Sequence, residues 1–551
     1  MSTRKINGAL FADMVRCGAK NLADKKEVVN ELNVFPVPDG DTGDNMSLTI
    51  NSAATSEDID DPVSLAKTSD AVMHAMLLGA RGNSGVILSR IFAGIAKGFE
   101  GKVEASLQEF DNAMKMAVSE AYSAVAKPVE GTILTVFRDG TNSAHEEITN
   151  ETTFEDYFGF LTREMKQSID RTPELLPSLK EAGVVDSGGV GLLYIFEGMQ
   201  AALSGERLDI DFLKARKNEA EELDISLFST DSELEFGYCT EFLLRLQNKK
   251  IKIADFNVDD FTEHLKTIGD SVVCFQDESV VKVHIHTKTP GNILDYCQKF
   301  GEFLKLKIEN MSLQHNNSVI RNTYNNQNKA PKKKYGIVTV ANGKGVIDTF
   351  YELGCDVVVP GGQSMNPSTN DFIEAFDEIN AETIFVFPNN KNIIMAAEQA
   401  AKNSDKNVHV IKTTTIGEGY AAISMFDANI EDVDTLINEL KEIISGVVTG
   451  QVSQASRDTK MDGFEIKKGE YLGFSDGKIF VDEKDRQEII PKLAEKLEAQ
   501  KFDICILLYG ESVDKSEAEK IEKILREKYN GLEFYLLDGG QPIYDYILIL
   551  E

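Results

Sequence analysis

The chain has no uninterrupted apolar stretch of the roughly 18 to 20 residues that a bilayer-spanning helix needs, so no transmembrane segment is expected. It is also poor in positive charge: 58 Lys and Arg stand against 90 Asp and Glu, a formal charge of −32. That surplus repels phosphate backbones and anionic lipid surfaces, which speaks against nucleic-acid binding by general electrostatics. Six cysteines, Cys17, Cys239, Cys274, Cys297, Cys355 and Cys505, show no pairing pattern. A disulfide framework is therefore not expected, and the thiols fit a reducing compartment, most of them as buried fillers. The first residues, Met1-Ser2-Thr3-Arg4-Lys5-Ile6-Asn7, lack the long apolar core of a secretory signal. These absences predict a cytoplasmic protein. Its 551 residues are too many for one core and predict three or four domains.

The most informative segment present is Asn33-Val34-Phe35-Pro36-Val37-Pro38-Asp39-Gly40-Asp41-Thr42-Gly43-Asp44-Asn45-Met46. It sets two carboxylates two residues apart in a loop kinked by proline and glycine, just before a helical pattern over 46–54. Oxygen donors of this kind suit a hard cation, and magnesium typically takes a few carboxylates while nucleotide phosphates complete its shell. An acidic surface turn is the simpler reading of Asp-Gly-Asp taken alone. Three more loops change the weighting. Gly79-Ala80-Arg81-Gly82-Asn83-Ser84-Gly85 leads into a helix over 86–99, a phosphate cradle without a Walker lysine. Glu130-Gly131-Thr132-Ile133-Leu134-Thr135 heads another helical stretch, and Val185-Asp186-Ser187-Gly188-Gly189-Val190-Gly191 precedes an apolar helix over 192–203. Four such loops in one helical region read as loops gathered at one end of a bundle.

These loops and their order resemble the ATP-binding domain of the dihydroxyacetone kinases, an antiparallel eight-helix barrel. More closely, the run 33–46 with Gly82-Asn83-Ser84-Gly85 and Asp186-Ser187-Gly188-Gly189 resembles the ATP-binding subunit of bacterial fatty acid kinase, and the likeness extends over the whole chain. The resemblance implies that Asp39 and Asp41 hold magnesium, with Asn33 near a third ligand position. It implies that Thr42, Gly43, Asn45, Ser84 and Gly85 touch the phosphates, and that Thr132, Asp186, Ser187 and Gly188 lie along the nucleotide. Arg81 is a candidate for stabilising the transition state, its simpler role being an ion pair with an acidic neighbour. Two departures stand out: Asn33 replaces an aspartate used by dihydroxyacetone kinases, and Asp44 adds a carboxylate that would either bind metal or repel nucleotide.

The expected architecture is multidomain. Residues 1–204 form the all-α, dihydroxyacetone-kinase-like (DhaL-type) ATP and magnesium domain, and an acidic connector covers 214–224. Residues 225–320 form a small α+β middle domain, with strands at 237–247, 271–276 and 279–286 and helices at 258–268 and 292–303. A polar linker at 321–334 precedes a C-terminal α/β domain, 335–551, in which short apolar strands alternate mostly with helices. That alternation predicts a parallel sheet with helices on both faces. Two glycine-rich loops, 361–366 and 538–542, resemble those of the DegV-like fatty-acid-binding proteins, though loops of this composition also simply turn a chain. In the middle domain, His284 and His286 alternate in a strand, and Cys239 lies in another. This is a zinc-type ligand set short of a fourth member. Resemblance to the fatty acid kinase middle domain strengthens the zinc reading.

The expected reaction is phosphoryl transfer from ATP to a fatty acid carboxylate, giving acyl phosphate and ADP for phospholipid synthesis. The resemblance implies a separate DegV-like carrier that presents the acid, docked by the C-terminal or middle domain. Since a fatty acid is ionised near neutral pH, no general base is required; alignment and charge neutralisation carry the catalysis. A homodimer is expected because symmetric dimers are the commonest oligomers. Two other readings stay open: a small-molecule kinase of the dihydroxyacetone type, whose substrate histidine domain is not evident here, and a non-catalytic nucleotide-binding scaffold or regulator.

Overall fold

The computed structural model describes residues 3–32, 40–59, 64–205, 238–252, 256–277, 279–310, 332–363 and 365–551. The connector at 214–224 and most of the linker at 321–334 lie outside them. The chain divides into two compact units, Met1–Asn218 with Pro331–Glu551, and Glu219–Ala330. Among the described residues, no helix is long and apolar enough to cross a membrane.

The N-terminal part of the first unit is helical. A two-stranded ribbon, β1 (Lys5–Asn7) and β2 (Glu104–Ser106), ties together α1 (Gly8–Ala23), α2 (Lys26–Asn30), α3 (Thr42–Ala54), α4 (Leu65–Leu78), α5 (Gly82–Gly98), α6 (Leu107–Ser123), α7 (Ile133–Glu146), α8 (Phe154–Leu175), α9 (Pro177–Ala182) and α10 (Ser187–Leu203). With α2 and α9 a turn or so long, eight long helices remain among the described residues. Their starts follow from capping side chains: Asn7 accepts from the Leu10 N–H, Ser64 from Lys67, and Thr153 with Asp156 closes a capping box. Their apolar faces meet in an aromatic core in which Phe11 stands edge-on to Phe99 at 5.8 Å and Phe110 to Tyr157 at 5.6 Å. Each ring of this kind contributes roughly 2–3 kcal/mol by burial. The long helices that carry glycine-rich loops begin about a turn earlier than their apolar runs, because Gly82, Thr42 and Ser187 occupy first turns rather than loops.

The second unit is an antiparallel sheet in the order β4-β5-β3-β6, built from β3 (Tyr238–Leu246), β4 (Asp270–Asp277), β5 (Val280–Thr287) and β6 (Gly301–Asn310). Two helices, α11 (Val258–Lys266) and α12 (Pro290–Cys297), share a core with it through Phe261, Leu265, Ile293 and Cys297. The helix expected over 292–303 ends at Cys297, and the chain enters β6 at Gly301. Its segment Gly301–Asn310 alternates apolar and charged residues with the period of a strand.

The C-terminal part belongs to the first unit and contains two sheets instead of the one parallel sheet expected. A parallel sheet in the order β10-β9-β7-β8 uses β7 (Lys333–Ala341), β8 (Val357–Pro360), β9 (Ala381–Phe387) and β10 (Asn407–Val410), with α13 (Lys344–Glu352), α14 (Thr369–Glu378) and α15 (Ile394–Asn403) between them. After α16 (Ile416–Ser424) and α17 (Val433–Gly446) comes a mixed sheet in the order β15-β14-β11-β18-β16-β17. Its strands are β11 (Val448–Gln454), β14 (Tyr471–Ser475), β15 (Lys478–Glu483), β16 (Ile504–Tyr509), β17 (Glu533–Asp538) and β18 (Tyr546–Leu550), and it carries α18 (Arg486–Lys496), α19 (Lys515–Lys528) and a small hairpin of β12 (Thr459–Met461) and β13 (Phe464–Ile466). Only β16 and β17 run parallel, because the last strand, β18, inserts antiparallel between β11 and β16. Strands as polar as β11, VTGQVSQ, give no apolar run from which a sheet could be read.

Candidate functional site

Four helix N-termini of the helical domain come together at one place. The Ser187 hydroxyl at the start of α10 donates to the Thr42 hydroxyl at the start of α3 across 3.3 Å. Gly82, the first residue of α5, adopts φ +58°, and a Cβ there would sit 2.6 Å from the Asn45 amide nitrogen on α3. Only glycine meets both demands. The Asp186 carboxylate accepts from the Gly189 N–H at 2.6 Å and from the backbone N–H of Ile133, joining the starts of α10 and α7. Each terminus carries a partial positive charge, the local remedy for a chain of strong negative charge.

Asp41 occupies the N-cap position of α3, yet its side chain makes no capping bond. The capping is done by Asn30 at the end of α2, whose Oδ1 accepts from the N–H of Gly43 at 2.7 Å and of Asp44 at 3.3 Å. The Asp41 carboxylate, in a residue 8% exposed, instead accepts a hydrogen bond from the side-chain amide of Asn366, a residue of the α/β domain. Asp44, the departure that would bind metal or repel nucleotide, is committed elsewhere: it pairs with the Lys26 ammonium at 2.6 Å and accepts from Asn30 Nδ2 at 2.7 Å.

Arg81 is the N-cap residue of α5 and faces the α/β domain. Its Nη1 donates to the Asn366 carbonyl at 2.8 Å and lies 3.6 Å from the Asp371 carboxylate. Its backbone N–H donates to Thr49 Oγ1 at 3.2 Å, which fixes α5 against α3. Asn45 and Gly85 are buried and Ser84 is half-buried within the same turns, and Thr132 stands at the N-cap position of α7 without a capping bond, its hydroxyl donating instead to the Val129 carbonyl. Asp186 is half-buried, and desolvation among the packed helix starts pushes its carboxyl up to about 6 against two stabilising backbone N–H groups. Asn33 and Asp39 lie outside the described residues, so among the expected magnesium ligands only Asp41 is placed.

A buried carboxylate beside several helix N-termini fits magnesium, which is usually held by one or two carboxylates and by substrate phosphates rather than by a full protein cage. Among the described residues, no group of three or more His, Cys, Asp or Glu is arranged to hold a metal ion. In the middle unit, the strand register sets Cys239 opposite His286 and Glu241 opposite His284; the side chains of Cys239, His284 and His286 lie outside what is described. Asn366, Thr49, Asn30 and Lys26 are the site residues that sequence reasoning missed. The loop 361–366 was recognisable as glycine-rich and polar, but nothing local tied it to Asp41.

Three family models match the chain: a DAK2 domain over residues 36–201, the FakA-like middle domain of fatty acid kinase over 235–318, and the FakA-like C-terminal domain of fatty acid kinase over 336–551. Protein YloV of Bacillus subtilis is 42% identical over 562 residues, covering 100% of both chains. Among solved structures, DegV, a fatty acid binding protein from Bacillus subtilis, aligns with 40% of this chain and 99% of its own at 15% identity and a TM-score of 0.31. The dihydroxyacetone kinase of C. freundii in complex with AMP-PNP and Mg2+ aligns with 53% of this chain and 56% of its own at 11% identity and a TM-score of 0.30. With its whole length matched to YloV and its three domain models in order, the chain belongs to the FakA-like fatty acid kinase family.

Proposed function

We propose that this chain transfers the γ-phosphoryl group of ATP to a fatty acid carboxylate presented by a separate DegV-like carrier, giving acyl phosphate and ADP. The observation that carries the reading is the meeting of the N-termini of α3, α5, α7 and α10 around the buried Asp41 carboxylate. Membership of a family named for fatty acid kinase supports the choice of acceptor.

In this mechanism the N–H groups at the start of α5 bind phosphate oxygens, with the Thr42 and Ser84 hydroxyls and the Asn45 amide orienting them and the dipole of α3, whose Gly43 and Asp44 N–H groups Asn30 caps, adding partial positive charge. Asp41, with Asp39 and Asn33 in the neighbouring loop, would hold magnesium, which when bound offsets phosphate charge. The acceptor carboxylate is already ionised, so its oxygen attacks the γ-phosphorus without a general base, and the bond to the β,γ-bridging oxygen breaks with its electron pair leaving on ADP. Arg81 serves the site by holding the start of α5 in place as a tether to the α/β domain. We further propose that the middle domain binds zinc through Cys239, His284 and His286, a reading supported by the register that pairs Cys239 with His286; the metal content of the purified chain decides it.

The test is acyl phosphate formation from labelled ATP, magnesium and oleate, with and without a purified DegV-like carrier. Carrier-dependent product that falls more than a hundredfold in Asp41→Ala, with the fold retained, is the expected result. Turnover of a small ketone in place of the acid, or full activity in Asp41→Ala, would contradict it.

A further inference from the structure

We infer that Asn366, delivered by the α/β domain, is a positioning residue of the kinase centre in the helical domain. The inference rests on reading that centre as a magnesium and nucleotide site. Asn366 follows β8, 325 positions from Asp41 in sequence, and its Nδ2 donates to Asp41 Oδ2. The residue is 2% exposed, and its Oδ1 is buried without a hydrogen-bond partner. A buried amide oxygen left unpaired costs stability, and such groups in native proteins call for an explanation, of which a functional site is one. Here the same side chain holds a carboxylate that has given up the capping bond its position offers.

The amide is brought to Asp41 on a fixed support. Arg81 pairs with Ser368 in an antiparallel bridge, and the Thr369 N–H donates to the Ala80 carbonyl at 3.1 Å. Ala80 and Val86, at the start of α5, are buried in one apolar cluster with Val338, Phe372 and Phe376 of the α/β domain. Farther along, Gln399 Nε2 donates to the Leu77 carbonyl at 2.8 Å. The two domains therefore share a core at this seam, and a neutral amide can set the orientation of Asp41 without removing its charge. A hydrogen bond that fixes a metal-binding carboxylate typically matters tenfold or more for affinity. The kinase centre is thus completed by a residue that the DAK2 region, 36–201, does not contain.

The experiment titrates the full chain with a non-hydrolysable ATP analogue at fixed magnesium, then with magnesium at fixed analogue. The variants are Asn366→Ala, the equally branched Asn366→Leu, which keeps the pocket filled, and Gln399→Ala, which loosens the same seam away from Asp41. Both Asn366 variants should bind the analogue about tenfold more weakly and need about tenfold more magnesium, while Gln399→Ala stays within about twofold of the unmodified chain. Unchanged or tighter binding in the Asn366 variants would overturn the inference, and so would an equal loss in Gln399→Ala, which would mark a general loosening of the seam. If the unmodified chain bound no analogue in a magnesium-dependent way, the reading of the centre itself would fall, and the inference with it.

Discussion

Asp41 in the helical domain and Asp545 in the α/β domain are equally buried, each 8% exposed, and their surroundings differ. Asp545 accepts from the Arg486 guanidinium at 3.2 Å and from the Ser512 hydroxyl, while Arg486 also grips Glu517 through two bonds of 2.9 and 3.0 Å. These groups pin α18, α19 and the turn before β18 together, and the neighbouring carboxylates hold the arginine firmly in its charged form. Asp41 accepts from a neutral amide that reaches it from another domain, at the mouth of several helix N-termini. Equal burial thus serves two ends. A carboxylate gripped by a guanidinium from a neighbouring helix fastens a fold, whereas one that accepts from the amide of another domain is oriented across the seam between the two domains.

The sharpest way to break this comparison is to remove each anchor in turn. Asp41→Ala should abolish phosphoryl transfer by more than a hundredfold and shift the unfolding midpoint little; Arg486→Ala should do the reverse. Loss of the guanidinium leaves Glu517 and Asp545 without it, at a cost of about 2–3 kcal/mol discounted for their partial exposure, while turnover per folded molecule stays within about twofold. Denaturant unfolding and a coupled ADP assay on both variants check this pair of outcomes. Equal stability losses in the two would erase the distinction.

A smaller effect is expected at Asp44. Lys26→Met removes the ammonium that pairs with it and leaves a carboxylate one turn from the phosphate region, so ATP-analogue affinity should fall about threefold, more at low ionic strength. Salt-dependent binding titrations read this directly, and an affinity unaffected at low salt would contradict it.

The finest distinction concerns Asp186. Its carboxyl titrates at about 6 in the folded chain against 3.8 ordinarily, so between those values the native state binds a proton that the unfolded state has released. The stability contribution of this group is accordingly lost as pH rises through 6 and regained on acidification. Asp186→Asn, which can still cap α10, should flatten the stability profile between pH 4 and 6 relative to the unmodified chain; parallel profiles would contradict the assignment.

The comparison also explains what was legible in the sequence. The loops at 79–85 and 185–191 could be read because a helix start is a local matter, written in a few neighbouring glycines and hydroxyls. Their helices begin earlier than the apolar runs because a glycine beside a hydroxyl suits a loop and a helix first turn alike, and Gly82 occupies the first turn of α5. The contact from Asn366 to Asp41 could not be read, since its partners lie 325 residues apart and meet only when α5 packs on the α/β domain. Strand order failed for a related reason. Alternation of strands and helices described β7 to β10 correctly as strands of a parallel sheet, but the place of β18 between β11 and β16 depends on pairing across about a hundred residues. In β6 the charged residues alternating with Leu304, Leu306 and Ile308 concealed a strand behind the helix that precedes it.

Asp41 and the gathered helix N-termini are proposed above to form a magnesium-dependent nucleotide site. Equilibrium binding of labelled ATP to the full chain, with magnesium and with a chelator, beside Asp41→Ala, tests it most directly. Binding that requires magnesium and disappears in the variant is the predicted result. Binding equally strong with the chelator, or unchanged in Asp41→Ala, would contradict it.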